Sequence, residues 1–241
     1  MMITLGCMRM FLTQILILGV LGLTGFGATL SVPSAVFAAD TEATAITAKD
    51  PVSNTTYDET QPGADDPRVK EGYAAYKAGD FTKAYDIWLP LAEAGNAEAQ
   101  FRIGRLYDFG EGISVDREKS ADWYAAAISQ DHLSAIFNMA HTLYWGESDR
   151  AEKGYAVTLF FRGAKMGDTK AQHHLGIALA AGDGISRNYV EAFKWLYISL
   201  ENGNQSVKST IEKLESITSP EIKTLGHHQM REWFKVHPRT K

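Results

Sequence analysis

Five sets of residues in this 241-residue chain recur at a spacing of 36. Gly95, Gly167 and Gly203 share one phase, with Asp131 in the remaining slot. Ala99, Ala135 and Ala171 share a second; Ile103, Met139 and Leu175 share a third, each followed by a small residue, Gly104, Ala140 and Gly176. Gly110, Gly146 and Gly182 mark a fourth phase, and Asp80, Asp116, Glu152 and Asn188 a fifth. Self-similarity at this period marks a solenoid, in which one unit cannot bury its apolar face alone and stacking on neighbours buries it. A chain built this way offers an extended surface rather than an enclosed reaction chamber.

Inside each unit the apolar spacing is helical. Ala99, Ile103, Leu106 and Tyr107 form one stripe and Ser120, Trp123, Tyr124 and Ala127 another, with a glycine-rich turn between them. Asp116 is placed to accept hydrogen bonds from the free amides of a second helix, and Asp80 and Asn188 can do the same. The small residues at 104, 140 and 176 let a neighbouring helix approach closely. The pairs Ile87-Trp88, Trp123-Tyr124, Leu159-Phe160 and Trp195-Leu196 fill the space between helices, with Trp123 and Trp195 as core pillars. The expectation is an all-α fold, an α/α solenoid of four antiparallel helix pairs. First helices fall near 67–78, 97–109, 133–145 and 169–181, and second helices near 81–94, 116–130, 153–166 and 188–202. Val207, Ile211, Leu214 and Ile217 give a further apolar stripe. Ser219-Pro220-Glu221 starts a last helix, whose Leu225, Met230, Trp233 and Phe234 cap the stack.

The first forty residues belong to something else. A single positive charge, Arg9, precedes an apolar run from Phe11 to Leu30 and a small-residue tail in which Val36 and Ala38 suit signal peptidase. Cleavage after Ala38 is expected, and the alternative is a retained membrane anchor. The only cysteine, Cys7, lies before the apolar run, so the mature chain has neither disulfide nor thiol chemistry. Losing Arg9 and no acid leaves 23 basic against 29 acidic residues, a net charge of −6. That balance opposes nucleic acid and anionic membrane surfaces, both of which need a positive footprint. Residues 40–66 are polar, with Ile46, Val52 and Tyr57 as the larger apolar side chains, and read as a disordered linker.

The run Ala99-Gln100-Phe101-Arg102-Ile103-Gly104-Arg105-Leu106-Tyr107-Asp108-Phe109-Gly110-Glu111-Gly112, followed by Val115-Asp116 and Trp123-Tyr124, resembles the Sel1-like repeat. Ala171-Gln172-His173-His174-Leu175-Gly176, Gly182-Asp183-Gly184, Ala192 and Lys194-Trp195 match it equally well. The unit between is degenerate, with Ser148 for the second turn glycine and Asp131 for the glycine ending the previous helix. The first unit, with Gly79-Asp80-Phe81 and Lys83-Ala84, is closer to a plain tetratricopeptide motif. The resemblance implies an α/α solenoid related to the tetratricopeptide repeat. The organisation expected is a signal segment 1–38, a linker 39–66, a tetratricopeptide-like unit 67–96, Sel1-like units 97–132, 133–168 (degenerate) and 169–204, and capping helices 205–241.

Chemistry finds little purchase here. In Gly110-Glu111-Gly112 and Gly182-Asp183-Gly184 an acid sits between the glycines and a helix precedes them, so they are inter-helix turns and not phosphate cradles. Adjacent residues on a helix point about 100° apart, so neither His173-His174 nor His227-His228 chelates one ion. No metal, no cofactor and no catalytic residue is expected; a nucleophile, base and orienting acid are not arranged anywhere in the sequence. Sel1-like proteins linked with β-lactam binding carry a cysteine pair per repeat, which this mature chain lacks.

In the tetratricopeptide architecture the concave wall is made by first helices. Transferred to this chain, that wall carries Tyr73 and Tyr76 in unit one, Phe101, Arg105, Asp108 and Phe109 in unit two, Phe137, His141, Tyr144 and Trp145 in unit three, and His173 and Ile177 in unit four. Tyr144-Trp145 beside Phe109 and Arg105 has the composition of a protein-binding hot spot. The function expected is a periplasmic or secreted, non-enzymatic adaptor or regulator binding a protein partner, such as a membrane sensor or an envelope complex. A cell-envelope hydrolase or accessory acting on peptidoglycan or β-lactams is the alternative.

Overall fold

The computed structural model describes residues 57–146 and 150–238. The expected signal segment, most of the linker and Ser148 lie outside them. Ten α-helices occupy the described residues: α1 (Pro67–Lys77), α2 (Phe81–Glu93), α3 (Ala97–Phe109), α4 (Arg117–Ile128), α5 (Leu133–Trp145), α6 (Arg150–Lys165), α7 (Thr169–Ala181), α8 (Tyr189–Glu201), α9 (Lys208–Ile217) and α10 (Pro220–Val236). The first eight pack as four consecutive pairs, and each pair packs on the next. The fold is the all-α solenoid that the 36-residue period requires.

Two interleaved sets of caps start the helices. Asp80, Asp116 and Asn188 accept from the backbone amides of Lys83, Lys119 and Glu191 at 3.0–3.1 Å. Asn96, His132 and Asp168, again 36 residues apart, cap α3, α5 and α7. Glu152 breaks its series: α6 starts at Arg150, so Glu152 sits inside the first turn and not in front of it. The second helices stop at a left-handed residue: Gly95, Gly167 and Gly203 have φ of 92°, 95° and 99°, and Asp131 holds the same slot at 60°. Aspartate tolerates that region better than most side chains, and Arg162 secures it by donating to Asp131 Oδ1 (2.5 Å) and to the Ile128 carbonyl (2.8 Å).

Large and small residues interlock within each pair. A Cβ on Gly104 would lie 2.8 Å from the Tyr124 ring, and one on Gly176 would lie 2.7 Å from Leu196 Cγ, so glycine at these positions sets the helix separation. Trp88, Tyr124, Phe160 and Leu196, the second members of the four expected pairs, are fully buried. The first members differ: Trp195 is 1 % exposed, whereas Trp123 is only partly buried against the core. Trp123 is therefore a flank of the core and not the pillar expected of it, because α4 leaves its outer side uncovered there. At the C-terminal end α10 packs on α8, with Trp233 at 5.0 Å from Trp195 and Gly226 against Phe193. Met230 is buried in that contact, but Leu225 is 55 % exposed and lies off the capping face.

Candidate partner-binding face

The first helices carry every residue expected on the partner-binding face, and three features decide which of them remain accessible. The first is the segment before α1. Residues 57–66, expected to be disordered linker, are ordered turns packed on the first helices. Tyr57 packs against Tyr73 with the rings tilted by 35° and their centroids 5.0 Å apart, and its backbone amide donates to the Tyr73 hydroxyl (3.1 Å). The Tyr57 hydroxyl donates to the Ala64 carbonyl. Gln61 Oε1 accepts from the backbone amide of Leu133, which is free at the start of α5, and Asn96 donates to the Gly63 carbonyl (both 2.9 Å). One short segment thus ties together α1, α3 and α5, satisfying helix-end groups that would otherwise need water. Tyr57 was the one bulky residue in that part of the linker, a signal the composition diluted.

Beneath the segment lies a buried charge cluster that periodicity did not reveal. Glu98 accepts from Arg102 Nε (2.6 Å) and from His132 Nε2 (2.7 Å), and all three side chains are at most 3 % exposed. His132 Nδ1 accepts the Ala135 amide (3.2 Å), which leaves Nε2–H to donate to Glu98. The Arg102 guanidinium lies over the Tyr73 ring at 5.1 Å. Burial pushes the Glu98 carboxyl up, but the His132 hydrogen bond and the Arg102 charge outweigh it and hold the group below its ordinary value.

The second feature is the side-by-side contact of consecutive first helices. Phe101 is 1 % exposed and stacks on His132 (4.8 Å). Asp108, also buried, accepts from Arg117, from the Tyr124 hydroxyl (3.4 Å) and from Thr142 Oγ1 (3.3 Å). Phe137, His141 and Tyr144 are buried in one aromatic nest with Phe160 and His174. Burial, with the neighbouring His173 and His141, holds the His174 imidazole well below its ordinary value. Burial likewise pushes the Tyr144 hydroxyl up. The third feature is α9, which lies over α7: His173 Nε2 pairs with Thr210 Oγ1 (2.9 Å), and residues 171–180 are buried throughout, Ile177 included.

Eight of the twelve expected residues are therefore structural: Phe101, Arg105, Asp108, Phe137, His141, Tyr144, His173 and Ile177 are all buried. Sequence spacing placed them on the right helices but next to the packing stripe, where adjacent units sandwich them. Tyr73, Tyr76 and Trp145 are partly buried, and Phe109 is 44 % exposed. Arg105 supports that opening from below: its guanidinium lies 5.1 Å from the Phe109 ring and donates to the Tyr76 hydroxyl (2.9 Å) and Glu111 (3.3 Å). The Tyr76 hydroxyl donates to Glu111 Oε1 (2.8 Å), and burial with Glu111 pushes it up to about 12 despite the nearby Arg105. Phe109 and Trp145 occupy equivalent positions at the ends of α3 and α5, which the Asp108–Thr142 contact draws together. Among the described residues no cluster of three or more His, Cys, Asp or Glu is arranged to hold a metal ion, and no helix is long and apolar enough to cross a membrane.

The Sel1 repeat model matches residues 97–132 and 169–204. The exopolysaccharide production negative regulator of Rhizobium meliloti is 26 % identical over 149 residues, covering 56 % of this chain and 56 % of that protein. The ERAD-associated E3 ubiquitin-protein ligase component HRD3B of Arabidopsis thaliana is 30 % identical over 131 residues, covering 54 % of this chain and 21 % of that protein. The chain thus spans about half the length of the first relative and about a fifth of the second. A crystal structure of a Sel1 repeat protein from Oxalobacter formigenes is 23 % identical, with a TM-score of 0.46 over 52 % of this chain and 94 % of that one. The two matched segments coincide with α3–α4 and α7–α8, the pairs with complete glycine turns, and both are Sel1 repeats.

Proposed function

We propose that this protein is exported to the periplasm and acts there as a non-enzymatic adaptor or regulator, holding a protein partner, a membrane sensor or an envelope complex, on the open part of its first-helix face. The observation that carries the reading is Phe109, a large apolar ring 44 % exposed over a fixed arginine, with Trp145 at the equivalent position of the next first helix. Exposed aromatics beside arginine are the composition of binding hot spots. The regulatory and ligase-component names of the relatives support the same class of work. The net acidity of the mature chain favours a protein over nucleic acid, and the apolar run before Ala38 supports export.

The test is affinity capture from envelope extract with the wild type and with Phe109→Ala and Trp145→Ala. Loss of an aromatic anchor costs about 2 kcal/mol or more, roughly thirtyfold in affinity, so a partner held by the wild type should be lost from both variants while their melting stays near the wild type. A partner retained by both variants overturns this choice of face. The intact mass of the recovered protein should begin at Ala39; a full-length species would overturn cleavage.

A further inference from the structure

A cavity of about 550 Å3 opens on the opposite, second-helix side, between α6, the α7–α8 turn and α8. Its walls are mainly Val157, Phe161, Leu175, Leu179, Ile185 and Trp195. Phe161 is 45 % exposed and meets the Trp195 ring edge-on at 5.8 Å, so the cavity has an aromatic floor and rim. Its shape follows from the fold. Gly184 lets the turn settle on the start of α6, where a Cβ would come within 2.7 Å of the Lys153 backbone, and Gly112 does the same against Phe81, 72 residues earlier.

That internal repeat shows what the cavity accommodates. Two units upstream part of this lining recurs: Gly112, Ile113, Ser114 and Trp123 stand where Gly184, Ile185, Ser186 and Trp195 stand below, while Leu89 takes the place of Phe161 and Ile103 that of Leu175. There the positions of Val157 and Leu179 are held by Tyr85 and Tyr107. The two rings meet edge-on with centroids 6.2 Å apart and their hydroxyls 3.1 Å apart. The ammonium of Lys119 lies 5.3 Å from the Tyr107 ring. In the lower groove both phenol rings are absent and the lysine is replaced by Glu191, so the ring volume is empty and the cation's position carries a carboxylate. Glu191 is 31 % exposed and pairs with Lys194 (2.9 Å), which is 15 % exposed, so the carboxylate keeps an open side on which a second cation can sit.

We propose that this groove is a receptor for a partner protein segment that presents an aromatic side chain next to a basic one, supplying in trans the ring and the cation that the upstream groove supplies itself. The site is distinct from the first-helix face, so the two stand or fall separately.

The experiment is a backbone and indole NMR titration of the protein with three blocked dipeptides: N-acetyl-Tyr-Lys-amide, N-acetyl-Tyr-Glu-amide and N-acetyl-Leu-Lys-amide. The tyrosyl-lysine peptide should shift the amides of Gly184 and Ile185 and the Trp195 indole N–H, saturating at about millimolar concentration. The tyrosyl-glutamate peptide should bind about threefold or more weakly, Glu191→Gln should erase that difference, and the leucyl peptide should not saturate. Val157→Tyr with Leu179→Tyr fills the groove from within and should abolish the shifts. Should that double variant fail to fold, Thr158→Trp blocks the groove from an exposed rim position and should do the same. No saturable shift at these three groups up to about 10 mM, equal binding of the leucyl peptide, or unchanged binding by the filled or blocked variant each overturns the proposal.

Discussion

Glu98→Ala isolates what the buried charge cluster contributes. The carboxylate and the Arg102 guanidinium are 1 % and 3 % exposed, and His132 is fully buried. Removing one member of such a group leaves an uncompensated charge in a low-dielectric site, which costs about 3–5 kcal/mol. For a folded region of this size each kcal/mol moves the melting point by ~2–4 °C, so a fall of about 6–20 °C is expected in calorimetry or circular dichroism. The cost comes from the orphaned cation rather than from any large net gain of the native pair. Glu98→Gln combined with Arg102→Met, which keeps an acceptor for His132 Nε2–H and removes the cation, should therefore recover most of the loss. The pH dependence follows the same logic. The Glu98 carboxyl is held below its ordinary value of 4.5, so its contribution is complete above that pH and is lost as pH falls through the lower, folded value. Acid unfolding should steepen below about pH 4.5 in the wild type and less so in the double variant. If Glu98→Ala costs under about 1 kcal/mol, the cluster is hydrated and the 57–66 segment does not seal it. If the double variant melts as low as the single one, the orphaned cation is not the cause.

His174 gives a second, separable acid limb. Its folded imidazole is held well below the ordinary 6.5, so the unfolded chain takes up the proton first; its contribution is complete above about pH 6.5 and declines as pH falls below it. His174→Phe, stacked in the same place on Phe160, should flatten urea midpoints between about pH 5 and 6.5, and an unchanged profile would refute the assignment. Trp195→Ala should cost about 3–5 kcal/mol in denaturant titrations, whereas Trp123→Ala, at the same repeat position but partly exposed, should cost clearly less; equal losses would refute the difference in burial.

Much of this architecture was legible in the sequence because the physics that fixes it is local and periodic. Side chains of Asp80, Asp116 and Asn188 name helix starts, glycines at 95, 167 and 203 name the left-handed stops, and Gly104 and Gly176 name the close contacts with Tyr124 and Leu196. A period of 36 repeats those instructions, so the helix pairs could be placed within a few residues. The accessible face could not be placed the same way. Whether Phe101 or Phe109 meets solvent depends on which neighbours close over it: His132 and Tyr124 for the first, nothing over nearly half of the second. Other first-helix groups are covered by two segments outside the repeat, residues 57–66 and α9, whose contacts with Leu133 and His173 span 72 and 37 positions and leave no periodic trace. The open groove was hidden for the converse reason. Val157 and Leu179 are unremarkable apolar residues on their helices, and only the packed walls show that the space filled upstream by Tyr85 and Tyr107 is empty here. Helix position is written in a short window of chain, whereas burial is decided by what arrives from far along it, because solvent is excluded by volume and not by sequence neighbours.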